Sequence, residues 1–149
     1  MKKSILALAL LVAALGVAAV AYGAATDTYK VSAKLVPGAD VPKPKGAAGA
    51  HGSFTGTYVE KGKGATLTWK LTFGGLTGPA LQAHIHMGKP GQSGNVIVPL
   101  CAPCKSGQTG KVKINETVIN ALEKGKAYVN VHTKKNLPGE IRGQVKVKG

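Results

Sequence analysis

The sequence predicts an all-β domain: an antiparallel Greek-key β-sandwich or barrel of about eight strands with one short helix. Apolar and polar residues alternate in short segments, glycine, proline and lysine turns separate those segments, and one segment alone has helical periodicity. The chain contains 21 glycines and 8 prolines. At 149 residues we expect a single domain. Many short strands at such spacing are typical of sandwiches and barrels.

The first segment, residues 1–25, is predicted to be a secretory signal peptide, so that the domain covers 26–149. Two lysines precede an apolar run at 5–20, and small residues follow it, which is the layout of such signals. Cleavage after Gly23 and cleavage after Ala25 both fit. The alternative is an uncleaved anchoring helix, because the run is about as long as the shortest membrane-spanning helices. A signal peptide implies export to the periplasm or the extracellular space.

Eight later segments have the composition of short strands. The clearest is 65–73, in which Leu67, Trp69 and Leu71 share one face while threonines and a lysine share the other. One face of such a strand is buried and the other is solvated, so we expect this strand at the centre of the core. The predicted strands are 28–36, 53–60, 65–73, 81–87, 95–101, 110–115, 127–133 and 140–148.

Two segments differ from this pattern. The stretch 37–52 contains three prolines and many small residues, which predicts a long loop inside the domain, because the single strand before it needs partners. The stretch 116–125 predicts the helix, with Val118 and Leu122 on one side and Gly125 as a natural end.

The formal charge of +14 comes almost entirely from lysine, because Arg142 is the only arginine among 20 basic side chains. Nucleic-acid-binding proteins usually combine arginine and interleaved aromatic residues in a recognisable motif, and neither feature is present here. Nucleic acid is therefore not an expected partner. The lysines form either a simple solvated surface or a surface that attracts anions, such as an envelope protein or an anionic polymer.

Cys101 and Cys104 form the only cysteine pair of the chain. In an exported protein a local disulfide is the default expectation for two such cysteines. A redox motif, a pair of soft metal ligands and two unpaired thiols remain alternatives.

Two of the four histidines, His84 and His86, are separated by a single residue. Residues i and i+2 of a strand share a face, so the two imidazoles are expected side by side, with apolar neighbours on the opposite face. His132 shares its face of the strand 127–133 with Tyr128 and Asn130. It joins the pair if the two strands are neighbours in the sheet.

This histidine set predicts a metal site, with copper as the expected ion. Imidazole suits copper, zinc, iron and nickel, and the affinity order peaks at copper. The chain has 6 carboxylates, none close in sequence to the pair, so a carboxylate-rich zinc or iron site is poorly supplied. His51 is a candidate fourth ligand from the loop, whereas alternation turns Met87 towards the core. The alternative for each histidine is an ordinary structural hydrogen bond.

The segments GGLTGPALQAHIHMGKPGQSGNVIVPLC, YVNVHT and PGEIRGQV resemble the chordin-type (CHRD) domain family, from about Thr28 to Lys148. Such domains occur in chordin, beside modules that bind growth factors, and as single-domain exported proteins of bacteria and archaea. This short chain is similar to the second kind. The resemblance implies a fold and an exported location, and it leaves the activity open.

A more distant similarity is to the copper–zinc superoxide dismutases. These are Greek-key barrels whose copper is held by a His-x-His pair and a later histidine, followed by an arginine that guides the anion. His84, His86, His132 and Arg142 occur in this order. The similarity implies a superoxide-dismutase-like fold, as an alternative to an immunoglobulin-like one, a copper position and an anion-binding Arg142. The alternative for Arg142 is a surface ion pair with Glu140.

Three functions remain open from the sequence. The leading interpretation is a non-catalytic exported protein that binds copper and stores, buffers or delivers it. The second is an envelope interaction module whose lysine surface binds a protein or a polysaccharide. The third is a copper-only enzyme similar to superoxide dismutase.

Overall fold

A computed structural model describes residues 26–149, and the predicted signal peptide lies outside the described residues. The elements are nine β-strands, one α-helix and a short 3-10 turn at Pro37–Ala39. The strands are β1 (Thr28–Leu35), β2 (His51–Lys61), β3 (Gly64–Gly74), β4 (Ala80–Met87), β5 (Val96–Cys101), β6 (Gln108–Asn115), β7 (Ala127–Thr133), β8 (Ile141–Gln144) and β9 (Lys146–Lys148), and the helix is α1 (Glu116–Glu123). No helix among residues 26–149 is long and apolar enough to cross a membrane.

The strands form two antiparallel sheets, which confirms the predicted all-β sandwich. The five-stranded sheet has the order β6-β3-β2-β1-β9, and the four-stranded sheet has the order β5-β4-β7-β8. β6 returns to pair with β3 after β4 and β5 have crossed to the other sheet, which is the long return of a Greek key.

The core lies between the sheets and is built from alternate residues of each strand. Phe54 and Leu67 of one sheet and Ile85 and Val129 of the other are all fully buried. Burying an aliphatic side chain of this size contributes about 1.5–3 kcal/mol. The helix α1 adds Leu122 to the same core, and its first turn is capped by the Asn115 side chain, which accepts a hydrogen bond from the Val118 N–H.

The structure corrects two predicted boundaries. The last strand, predicted at 140–148, is two strands that belong to different sheets, because β8 pairs with β7 whereas β9 pairs with β1. The break falls at Val145, which is buried and donates a backbone hydrogen bond to Ala127. His51, predicted to lie in a loop, is the first residue of β2.

The outer faces of the two sheets are different. We call the outward side chains of β4, β7 and β8 the covered face, because the segments 36–50, 88–95 and 134–140 bond to them. All seven residues of β7 are consequently buried, on both faces of the strand. We call the outward side chains of β1, β2, β3, β6 and β9 the lysine face, and its lysines are exposed.

Candidate metal centre

Three histidines from two neighbouring strands converge on the covered face. β4 and β7 pair with Gln82 opposite His132 and with His84 opposite Asn130, which places the His132 ring beside the His-x-His pair. One ring nitrogen of each of His84, His86 and His132 lies within 4.8 Å of those of the other two. His84 Nδ1 and His132 Nε2 are 3.3 Å apart, a hydrogen-bond distance, and a bound ion would replace the proton that these two nitrogens share.

Backbone carbonyls orient two of the three rings. His86 Nδ1 is 2.9 Å from the carbonyl oxygen of Gly94, and His132 Nδ1 is 2.8 Å from that of Leu137. A carbonyl oxygen only accepts, so each Nδ1 carries the proton and each Nε2 presents a lone pair. Such a hydrogen bond to the far nitrogen fixes the tautomer and orientation of a metal-binding histidine.

One of these lone pairs is left without a partner. His86 Nε2 is buried and accepts no hydrogen bond from any of residues 26–149. Buried polar atoms are usually satisfied, and an exception calls for an explanation such as an ion or a water. An ion at the centre of the histidine cluster would satisfy this nitrogen.

The surroundings keep all three imidazoles neutral. Burial, together with the neighbouring His132 and His86, lowers the pKa of His84 to about 4. Burial also lowers the pKa of His86 and of His132 and outweighs the hydrogen bonds to Gly94 and Leu137, which raise it. A neutral imidazole is the form that binds a metal, so none of the three rings has to lose a positive charge before binding at neutral pH.

Access to the cluster is from one side. His86 and His132 are 8% and 5% exposed, whereas His84 is only partly buried. An ion therefore has a route from solvent on the side of His84, with the other two rings behind it.

Tyr128 separates the histidine cluster from Arg142. The His86 ring stacks on the Tyr128 ring at 4.9 Å and 8°, and the Arg142 guanidinium lies 3.4 Å from the centroid of the same ring, a cation–π contact. Because β7 lies between β4 and β8, Tyr128 of β7 stands between His86 of β4 and Arg142 of β8. Its hydroxyl accepts a hydrogen bond from the Gly94 N–H.

Arg142 is 2% exposed and Glu140 is fully buried, so the alternative of a surface ion pair between them is wrong. Its Nη2 donates to the carbonyl oxygen of Lys89, while its Nη1 is buried with no partner among the described residues. Arg142 also lines a cavity of about 430 Å³, together with Asp40 and Lys43. Its role in anion binding stays a prediction.

Glu140 is fully buried and accepts hydrogen bonds from groups other than Arg142. Thr77 donates to it from both its N–H and its hydroxyl, and Thr133 and Asn136 also donate. Burial alone would raise the pKa of Glu140, but these hydrogen bonds outweigh burial and lower it. The ionised carboxylate thus ties the segment after β7 to the segment before β4.

Sequence reasoning missed a buried contact between Asp40 and Asn130. Asn130 lies in register with both His84 and Arg142, and its Nδ2 donates to Asp40 Oδ1 at 3.2 Å. Burial raises the pKa of Asp40 to about 6. Gly139, at φ +143°, leaves room for this contact, because a Cβ there would meet both side chains within 2.5 Å.

The remaining candidate residues lie outside the cluster. His51 is exposed on the five-stranded sheet, where its Nδ1 is 3.0 Å from the carbonyl oxygen of Gly49, so the structure does not bring it to the other histidines. Met87 packs against the core, in agreement with its strand parity. Cys101 and Cys104 form a disulfide, which leaves neither sulfur as a thiolate ligand.

A family model of the CHRD domain matches residues 31–145. The chain belongs to the CHRD domain family. The match includes the three clustered histidines, Arg142 and both cysteines, and it indicates an extracellular type of module. No curated protein and no solved structure matches the chain.

Proposed function

We propose that this CHRD domain protein is an exported copper-binding protein whose site is formed by His84, His86 and His132, and that it stores, buffers or delivers the metal. The supporting observation is the convergence of three neutral ring nitrogens within 4.8 Å, one of them buried and unsatisfied among the described residues. An exported location rests on the apolar leader of the sequence.

The spacing of the nitrogens suits a metal ion. Ligand nitrogens about 2.0–2.1 Å from an ion lie at most about 4 Å apart, and the His84–His132 separation of 3.3 Å already meets that limit. The other nitrogen–nitrogen distances are at most 4.8 Å, and a shift of about 1 Å in the position of one ring nitrogen brings them within the limit. His84, the least buried ligand, is the ring with room to move.

The donor set favours copper over harder ions. Three imidazoles form it, and no carboxylate or thiolate of residues 26–149 belongs to the cluster. Among divalent ions copper binds such nitrogen sites most tightly. When bound, copper would supply a one-electron redox couple, while the chain's own residues hold the rings and exclude water behind them.

A titration with Cu(II) tests this proposal. We expect one copper per chain, with nitrogen hyperfine structure in the electron paramagnetic resonance spectrum. The double variant His84→Gln plus His86→Gln should lose the bound copper, whereas His51→Gln, which removes an exposed histidine outside the cluster, should keep it. Stoichiometric binding that survives the double substitution would falsify the proposal.

Two further measurements separate the alternatives. Competition between Cu(II) and Zn(II) should favour copper, and tighter binding of zinc would contradict the choice of metal. Superoxide turnover by the copper-loaded protein should not exceed that of free copper, because the Tyr128 ring separates Arg142 from His86. A faster rate would instead indicate a dismutase.

A further inference from the structure

The lysine face, on the opposite side of the sandwich from the histidines, concentrates positive charge without any negative charge. Successive outward positions align across all five strands, because the strands pair in register. One row crosses the sheet through Lys148, Lys30, Thr57, Thr68 and Lys111, and the next through Lys146, Ser32, Thr55, Lys70 and Thr109. Lys34 and Lys113 lie in the two flanking rows and are exposed like the others.

The 6 acidic side chains of the chain all fall within the described residues and lie away from this face. Two are on α1 and two belong to the layer over the covered face. The last two lie at one end of the sandwich, where Glu60 donates a backbone hydrogen bond to Asp27. The positive potential of the lysine face is therefore not offset locally.

The centre of the face is a groove whose walls carry hydroxyl groups. Its volume is about 580 Å³, and the inward-facing Val31, Gly56 and Trp69 contribute to its floor. The lining side chains are those of Lys30, Ser32, Thr55, Thr57, Lys70 and Lys148, with two further threonines. Adjacent strands lie about 4.8 Å apart, so the row from Lys148 to Lys111 extends over roughly 19 Å.

We propose that this groove binds an acidic polysaccharide, a chain of sugars bearing carboxylate or sulfate groups. Lysine ammonium groups at the margins pair with its anionic groups, and the serine and threonine hydroxyls, which both donate and accept, bond to sugar hydroxyls along the floor. A groove of this length accommodates several consecutive sugar units of an extended chain.

Other partners fit the same surface less well. Val59 is the only large apolar side chain of residues 26–149 that is exposed on this face. Peripheral membrane binding needs an apolar surface that enters the lipid, so a membrane fits this face poorly. Nucleic-acid recognition relies on arginine and stacking aromatic residues. Protein interfaces have cores depleted in lysine and serine.

Binding of polygalacturonate, with neutral dextran as the uncharged control, tests this proposal. The variant Lys30→Gln, Lys70→Gln, Lys148→Gln should weaken binding of polygalacturonate by about tenfold, a little over twofold for each lysine. The matched control Lys105→Gln, Lys124→Gln, Lys134→Gln removes the same charge from exposed positions outside the groove and should weaken binding less than threefold. Binding should also fall with salt.

A second measurement uses the unmodified protein. Bound polygalacturonate should protect Lys30, Lys70 and Lys148 from acetylation, detected by mass spectrometry, and should leave the three control lysines reactive. Equal weakening by both triple variants, equal protection of both sets, or equal binding of dextran would overturn the proposal. So would tighter binding, with the same groove dependence, to anionic lipid vesicles or to DNA. The variant His84→Gln plus His86→Gln should bind polygalacturonate normally, which keeps this test separate from that of copper.

Discussion

The two outer faces of this sandwich handle polar residues in opposite ways. On the covered face, three loop segments bury histidines, an asparagine and an arginine, and most of their polar atoms have named partners. On the lysine face, the polar side chains extend into solvent. One face thus holds groups in fixed positions, as a metal site requires, while the other presents solvated positive charges.

The strands themselves carry this difference. Each strand of the five-stranded sheet contains at least one lysine, whereas β4, β5, β7 and β8 contain none. A lysine is almost never fully buried unless it is paired, so a strand without lysine can be covered on both faces. Substitutions should therefore be costly on one face and nearly neutral on the other.

The largest effect is expected at Arg142. Arg142→Ala removes the cation that stacks on Tyr128 and leaves Asp40 buried without its positive neighbour. We expect a loss of about 3 kcal/mol in the free energy of unfolding, measured by urea denaturation. Arg142→Lys should recover only part of it, because an ammonium group lacks the planar guanidinium that stacks on the ring. Full recovery would show that charge alone matters.

Copper should stabilise the protein by a comparable amount. A ligand at 100 times its dissociation constant adds about 2.7 kcal/mol to the unfolding free energy, or a rise of about 10 °C in Tm, measured by calorimetry. His51→Gln should show the same rise, and His84→Gln plus His86→Gln none. A rise in the double variant would place the metal elsewhere.

A smaller, pH-dependent loss is expected at Glu140. At pH 7, Glu140→Gln should lower the unfolding free energy by about 1–3 kcal/mol, because hydrogen bonds to the carboxylate are weakened. The pKa of Glu140 is lowered from 4.5 in the folded protein, so its contribution is complete above pH 4.5 and is lost as the pH falls through the folded-state pKa. The difference between variant and wild type should therefore shrink in acid. Glu116→Gln, an exposed change, is the control, and a pH-independent loss would contradict this account.

The smallest effect is expected on the lysine face. Lys70→Gln should change the unfolding free energy by less than about 0.5 kcal/mol, because the side chain is exposed. The same chemical denaturation measures it beside Arg142→Ala. A loss as large as that of Arg142 would erase the distinction between the two faces.

Strand periodicity predicted much of this structure from the sequence. The parity of His84, His86 and His132 placed them on one side of their strands, and the pairing of β4 with β7 brings them together. The alternation of 65–73 marked a central strand of the core in the same way. These predictions succeeded because side-chain direction in a strand depends only on the backbone.

The covering loops could not be predicted in this way. Asp40 and Leu137 reach the covered face from irregular segments, which have no periodicity to reveal what they contact. For the same reason a surface ion pair between Glu140 and Arg142 stayed open as an alternative, although both are buried with other partners. The sequence did not reveal that the chain passes from one sheet to the other at Val145, because inward and outward side chains continue to alternate through this residue.

Two of the histidines also anchor loops. His86 holds the segment before β5 through Gly94, and His132 holds the segment after β7 through Leu137. Displacing either ring breaks the hydrogen bond that fastens its loop to the sheet. Loading with copper should therefore slow amide hydrogen exchange and limited proteolysis within 88–95 and 134–140, although neither segment contains one of the three ligands.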